Sequence, residues 1–151
     1  MAVRVQEADF DIGSELTALT RGTTSVGGLG VFVGLVRDVA DSTGVRALTL
    51  EHYPGMTEKA LEGIEAEARV RWPLEGTLII HRVGRMLPGD NIVLVACTSA
   101  HRQAALDATA FLIDWLKTKA PFWKSEETGG GDRWVDARES DNNAAARWGV
   151  S

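Results

Sequence analysis

Lysine is scarce in this 151-residue sequence, and three of its four lysines lie close together near the C-terminal end. Lys117, Lys119 and Lys124 fall within eight positions, although the chain carries 16 basic and 21 acidic residues and a net charge of -5. Amines in a partly desolvated positive cluster have lowered pKa values, which suits proton transfer or nucleophilic chemistry. Lys117 and Lys119 could instead complement a helix dipole, an explanation that does not cover Lys124 in the extended segment that follows.

A second group of cations, His101 and Arg102, follows Thr98 and Ser99 at the predicted start of a long helix. Because the helix dipole opposes positive charge at an N-terminus, the pair indicates a bound anion that offsets the repulsion. The alternative is two solvated side chains that cost a few tenths of a kcal/mol. Arg37, at the end of a predicted buried strand, could hold a phosphate or extend from the strand end into solvent.

The cysteine and the glycine-rich segment do not predict a catalytic thiol or a phosphate loop. Cys97 lies in the apolar run 92–97 and is predicted to be structural, because a reactive thiol needs exposure and a nearby positive charge. One cysteine permits no internal disulfide and no CxxC metal motif, so we predict no metal or cofactor and expect a reducing cytoplasm. Gly27, Gly28 and Gly30 precede a strand and lack the Walker lysine, which favours a turn or bulge.

The order of the predicted helices and strands, which position these residues, indicates a single α+β domain over residues 1–151. We predict a mainly antiparallel sheet and two long helices. Strands come in adjacent pairs separated by helices, and the strands at 31–36 and 45–52 could pair as a hairpin. The last two strands flank Gly129 to Gly131 and predict a second hairpin, with a short polar helical segment after it. The predicted strands are 3–6, 31–36, 45–52, 77–83, 91–98, 122–127 and 133–137, and the predicted helices are 11–20, 56–72 and 100–119.

The charge and the N-terminal residues exclude some classes of function. The acidic balance argues against a general nucleic-acid binder. Residues 1–10 contain Arg4, Glu7 and Asp9 and no apolar run, so they predict neither a signal peptide nor a membrane span.

Six blocks of sequence, in order along nearly the whole chain, resemble one protein family, the large, catalytic subunit of molybdopterin synthase. The most specific block is Lys-x-x-Ala-Pro-Phe-Trp-Lys, within residues 116–126. Leu106 stands where the family commonly has phenylalanine, and the loop 38–43 lacks its usual asparagine-rich character. The other blocks are residues 31–37, 50–56, 81–84, 99–102, and 132–135 with 137–138.

The resemblance implies a step of molybdenum-cofactor biosynthesis. A small ubiquitin-like partner carries a thiocarboxylate on its C-terminal Gly-Gly tail and inserts the tail into the large subunit. Two sulfurs are transferred to cyclic pyranopterin monophosphate, which yields the dithiolene of molybdopterin. The family acts as a heterotetramer built on a homodimer of large subunits.

The resemblance also implies where the substrate binds. A phosphate-bearing substrate and a thiocarboxylate both require a positive pocket. Lys117 and Lys124 are the expected catalytic residues, with Lys117 nearest the thiocarboxylate and Lys124 holding the substrate phosphate together with Arg37. The implied substrate-binding residues are Leu35, Val36, Arg37, His101, Arg102, Lys117, Lys124, Ser125 and Glu126.

The spacing of these residues predicts a shared site. Arg102 and Lys117 are fifteen residues apart on one predicted helix, which is roughly 22 Å at 1.5 Å per residue. One small substrate cannot contact both through a single copy, so either the helix breaks or two subunits share each pocket. We expect the second arrangement, with His101 and Arg102 donated across the dimer interface.

Two other functions remain open. The first is a non-catalytic scaffold that binds a ubiquitin-like Gly-Gly tail and uses the lysines only for its carboxylate. The second is an unrelated pterin- or nucleotide-binding enzyme that needs no protein sulfur donor.

Overall fold

The computed structural model describes residues 2–37, 45–128, 131–135, 143–144 and 146–149. Within these ranges, no helix is long and apolar enough to cross a membrane. The helices are α1 (Ile12–Thr20), α2 (Met56–Arg71) and α3 (Arg102–Thr118). The strands are β1 (Ala2–Gln6), β2 (Gly28–Leu35), β3 (Val45–His52), β4 (Leu74–Arg82), β5 (Gly84–Met86), β6 (Asn91–Ser99), β7 (Phe122–Thr128) and β8 (Gly131–Val135).

The strands form two sheets of four, in the orders β1-β4-β6-β2 and β5-β3-β7-β8. The predicted α+β fold with mainly antiparallel strands is confirmed, because every pairing except β1 with β4 is antiparallel. The structure divides the strands between two sheets where the sequence predicted one. The two predicted long helices are α2 and α3, and α1 is a third, shorter helix.

The predicted hairpin between β2 and β3 is wrong. β2 pairs with β6 in the first sheet, whereas β3 pairs with β5 and β7 in the second. The reason is that β6 is buried along most of its length and lies between β4 and β2. A buried strand must satisfy its backbone hydrogen bonds on both edges, so β6 needs β2 as its second neighbour.

The other predicted elements lie close to the observed ones. The β7–β8 hairpin is confirmed, although Gly129, Gly130 and residues 136–137 are outside the described residues. The predicted C-terminal helical segment is described only at residues 143, 144 and 146, which are helical. Asp11 begins α1 as predicted, since its carboxylate accepts a hydrogen bond from the Ser14 amide at 2.8 Å and so caps the helix.

Helices cover both faces of the first sheet. The face covered by α2 and α3 includes Ile79 and Val95, which pack with Leu61, Phe111 and Leu112 in one buried cluster. On the opposite face, the β4 and β6 residues Leu78, Ile80, Leu94 and Ala96 pack with Phe10 and with partly buried residues of α1. The alternation of a strand therefore places His81, two residues after Ile79, on the face that carries α3.

Glycines in β2 allow α3 to lie directly against that strand. A Cβ added at Gly28 would lie 3.2 Å from the Arg102 Cα, and one at Gly30 would lie 2.8 Å from the Ala105 carbonyl carbon. Neither glycine forms the turn or bulge that the sequence favoured, because both lie within β2. Their lack of a side chain instead positions the first turns of α3, where Arg102 is located.

We expect Gly30→Ala to destabilise the protein by about 2 kcal/mol or more, because the new methyl group overlaps backbone atoms of α3 that cannot move away cheaply. Chemical denaturation measures this as a lower midpoint. The control is Gly63→Ala, at an exposed helical position where an added Cβ meets nothing within 4 Å. It should leave stability unchanged or raise it by up to about 1 kcal/mol. Equal midpoints for the two variants would contradict the close approach.

Candidate functional site

Lys117 and Lys124 both lie close enough to His81 for their positive charges to lower its pKa. Lys117 lies in the last turn of α3, and Lys124 is the third residue of β7. Both side chains interact electrostatically with His81 near the end of β4. We call Lys117, Lys124 and His81 the lysine cluster. It joins α3 to one strand from each sheet.

Successive side chains of β7, beginning with Phe122, point to opposite faces of the second sheet. Phe122, Lys124 and Glu126 share one face of the strand, and Trp123 and Ser125 share the other. The β3 neighbour of Lys124 is Leu50, which is only 3% exposed. Lys124 is therefore on the inner face of the second sheet, and Ser125 is directed to the opposite face from Lys124 and Glu126.

Residues 35–37 lie at the same end of the molecule as the lysine cluster. Gly34 of β2, Val93 of β6 and His81 of β4 are register neighbours across the first sheet. Adjacent strands are about 4.8 Å apart, so residue 34 lies about 10 Å from His81 along this row. Leu35 and Arg37 are exposed, whereas Val36 is buried against the second sheet. Leu35 and Arg37 are thus available to a ligand near the lysines.

His101 and Arg102 lie at the opposite end. α3 is continuous from Arg102 to Thr118, so the predicted alternative of a broken helix is excluded. Fifteen residues of helix place Arg102 roughly 22 Å from Lys117. The first sheet gives an independent estimate of this distance. Ser99, close to His101 in sequence, and Val93, the register neighbour of His81, are separated along β6 by about 20 Å at 3.3 Å per residue. Within one chain, the structure does not bring His101 and Arg102 to the lysine cluster.

The start of α3 has the features of an anion site. His101 is the N-cap residue, with no hydrogen bond from its side chain to the helix. The first turn contains no acidic residue, and both His101 and Arg102 are exposed. Open amide groups and two cationic or protonatable side chains therefore face solvent together. The geometry is compatible with the anion that the sequence indicated.

The sequence motifs indicate no role for His81. The pKa of His81 is lowered to about 4, chiefly by burial and also by the positive charges of Lys117 and Lys124 and by His52. A hydrogen bond to the Arg82 carbonyl oxygen acts in the opposite direction. The ring is therefore neutral at physiological pH. The available signal was a histidine directly after the apolar run 78–80 of the predicted strand 77–83.

The buried His81 should make stability depend on pH. An unfolded histidine binds a proton near pH 6.5, whereas the folded His81 does so only near pH 4. The unfolded state therefore binds more protons in this window, and the free energy of unfolding should fall by about 3 kcal/mol as the pH decreases from 6.5 to 4. Denaturant unfolding at a series of pH values measures the slope.

The control for this slope is the exposed His101. The His81→Phe variant should lose most of the pH dependence between pH 6.5 and 4, and His101→Gln should keep it. An unchanged slope in His81→Phe would show that another group is responsible.

Comparison with known proteins agrees with the geometry. Residues 5–119 match the family described as MoaE protein. The molybdopterin synthase catalytic subunit of Pseudomonas aeruginosa is 57% identical over 148 residues, covering 98% of this chain and 99% of that protein. The chain belongs to the MoaE family.

Solved structures of MoaE-like chains have the same fold. The molybdopterin biosynthesis MoaE protein from Burkholderia ambifaria is 54% identical, with a TM-score of 0.84 and coverage of 100% of both chains. A chain from the complex of subunits 1 and 2 of the Helicobacter pylori molybdopterin-converting factor is 22% identical, with a TM-score of 0.71 and 90% of each chain covered. This last likeness shows the fold alone.

Cys97 has no place in the chemistry of this MoaE chain. Its side chain is fully buried, and burial raises the pKa of the thiol to about 11. The prediction of a structural cysteine is confirmed. Among the described residues, no group of three or more His, Cys, Asp or Glu side chains is placed to hold a metal ion.

Proposed function

We propose that this chain is the catalytic subunit of a molybdopterin synthase and transfers sulfur to cyclic pyranopterin monophosphate from a thiocarboxylated partner. The observation that carries the proposal is that Lys117, near the end of α3, and Lys124, in β7, both act electrostatically on His81, in a chain of the MoaE family. Both reactants are anions, and two amines beside exposed Arg37 would attract them. In each transfer, a carbon–sulfur bond forms as an oxygen substituent leaves the substrate, and water then cleaves the acyl carbon–sulfur bond of the tail.

The candidate site residues have different proposed roles according to their position. Lys117 lies nearest the thiocarboxylate and acts by acid–base or electrostatic catalysis, since an ammonium beside a departing oxygen or sulfur stabilises the developing charge. Lys124 is the second catalytic amine and holds the substrate phosphate together with Arg37. Leu35 completes the pocket beside Arg37, and Glu126 does so beside Lys124. Val36 is buried and Ser125 faces away from Lys124, so these two residues contribute through their backbone groups.

Each pocket contains residues of two subunits. His101 and Arg102 bind the anionic substrate from the second large subunit of a homodimer. The unbroken α3 supports this arrangement, because roughly 22 Å separates Arg102 from Lys117 in one chain. Two small subunits complete a heterotetramer.

The partner is a small ubiquitin-like protein with a C-terminal Gly-Gly tail. A chain of the same fold has been solved in a complex of subunits 1 and 2 of a molybdopterin-converting factor, and this supports a two-subunit enzyme. The chain acts as one domain in the cytoplasm, without nucleic acid or membrane, and takes its sulfur from the partner because its buried Cys97 is unavailable.

The test is product formation in a purified system. The chain is mixed with cyclic pyranopterin monophosphate and with the small subunit bearing either a thiocarboxylate or an ordinary carboxylate. Dithiolene should form only with the thiocarboxylate. A scaffold would bind both forms and yield no product, and an enzyme independent of a protein sulfur donor would yield its product with the carboxylate form too. Either result contradicts the proposal.

A further inference from the structure

His81 is held on two sides. Its ring is 7% exposed, and its Nδ1 lies 2.9 Å from the Arg82 carbonyl oxygen. A carbonyl oxygen can only accept a hydrogen bond, so Nδ1 carries the hydrogen and Nε2 of the neutral ring carries the lone pair. This bond leaves the imidazole little freedom to rotate.

The second side of the ring rests on Phe122. The two rings are stacked, with centroids 3.9 Å apart and an angle of 16° between their planes. The stack joins β4 of the first sheet to the first residue of β7 in the second. Phe122 is two residues before Lys124 on the same face of β7, and five residues after Lys117. The stack therefore lies at the junction that carries both lysines.

The groups around the ring explain why it must be neutral. Lys117 approaches from α3, Lys124 from β7 and His52 from β3, and the Arg82 carbonyl lies on β4 itself. A protonated imidazole would add a buried positive charge to two neighbouring ammonium groups, which is unfavourable. A neutral aromatic ring with one lone pair fills the space without adding charge.

We propose that His81 is a positioning residue of the sulfur-transfer site: its ring, bonded to the Arg82 carbonyl and stacked on Phe122, fixes the start of β7 against β4 and so holds Lys124 in place relative to Lys117. This inference rests on the proposed function of the two lysines. The ring acts through them and does not itself contact the substrate. Misplacement of a catalytic amine by about 1 Å can cost up to about 100-fold in rate, so the clamp should matter for turnover.

The first experiment tests the placement without any activity assay. The imidazole of His81 is titrated by NMR in the complete protein and in three variants. The pKa of His81 should rise in Lys117→Met and in Lys124→Met, because each lysine lowers it. Lys119→Met removes the exposed charge at the end of α3 and should leave the pKa unchanged. No rise in either cluster variant would overturn the proposal.

The second experiment measures the single-turnover rate of sulfur transfer with the thiocarboxylated small subunit. His81→Phe keeps an aromatic ring against Phe122 but loses the Nδ1 hydrogen bond and the Nε2 lone pair. We expect a rate about tenfold lower. Its pH profile should move to lower pH by about half a unit, because an apolar neighbour disfavours an ammonium group. A residue that serves only stability would leave the profile in place.

A second variant keeps the inference testable if His81→Phe folds poorly. Phe122→Leu removes the stack and retains His81, and it should lower the rate with no shift of the profile. The matched control is Phe111→Leu, fully buried on α3 six residues, or about 9 Å of helix, before Lys117, which should lower stability and leave the rate unchanged. Wild-type rates in both His81→Phe and Phe122→Leu would overturn the proposal.

The two hypotheses fail separately. Suppose that the pKa of His81 rises in the two lysine variants but Lys117→Ala still transfers sulfur normally. The proposed catalytic function of the lysines is then wrong, and their placement by His81 is retained. If Lys117→Ala is inactive but the pKa of His81 is the same in Lys117→Met and Lys124→Met as in the wild type, the positioning role of His81 is wrong.

Discussion

Lys117→Ala is expected to lower the single-turnover rate of sulfur transfer by at least about 100-fold, because it removes the amine that we propose acts on the thiocarboxylate in the transition state. The fold should persist, since Lys117 is only partly buried in the last turn of α3 and alanine favours helix. The measurement is dithiolene formation after mixing with excess thiocarboxylated small subunit. Affinity for the small subunit is measured in parallel.

The matched control is Lys119→Ala. Lys119 lies two residues further along as the exposed C-cap of α3, so the substitution removes the same charge from the same helix end. It should change the rate by less than about twofold, as for an exposed charge with no substrate contact. If Lys117→Ala transferred sulfur normally and weakened only the binding of the small subunit, the catalytic assignment would fail and the scaffold would be favoured.

Mixing two inactive variants should restore activity. If each pocket is shared as we propose, a dimer of Lys117→Ala with Arg102→Ala has one pocket with both substitutions and one with neither. Random exchange makes about half of the dimers mixed, and half of their pockets intact, so about a quarter of wild-type activity should return. The roughly 22 Å between the two residues along α3 is the physical reason for the sharing.

The mixing experiment tests the shared pocket only if the two variants are shown to exchange subunits. Differently tagged copies, purified through both tags, isolate the mixed dimers and should raise the recovery to about half of wild type. A mixture of Lys117→Ala with Lys124→Ala is the control, because these two lysines act on the same His81 within one chain and the variants should not complement each other. Inactive mixed dimers of the first pair would show that each chain builds its own pocket.

The sequence by itself determined the positions of the helices and most strands, because their signals are local. The apolar run of β6 predicted its burial, and Pro73 and Pro121 predicted where α2 and α3 end. The residues of the candidate site could also be named from sequence, since the blocks that carry them are short and contiguous. Even the separation of Arg102 from Lys117 followed from the rise of a helix.

Only the tertiary structure determined which strands, helices and side chains are neighbours. The pairing of β2 with β6 joins segments about 60 residues apart in sequence, and local pattern could not distinguish it from a hairpin with β3. The glycines of β2 looked like turn residues until α3 was seen to lie against them. His81 follows the apolar run 78–80, a local pattern that indicates no role. Its stacking on Phe122 and its electrostatic interactions with Lys117 and Lys124 connect β4 with β7 and α3, because only the packing of two sheets and a helix brings those side chains together.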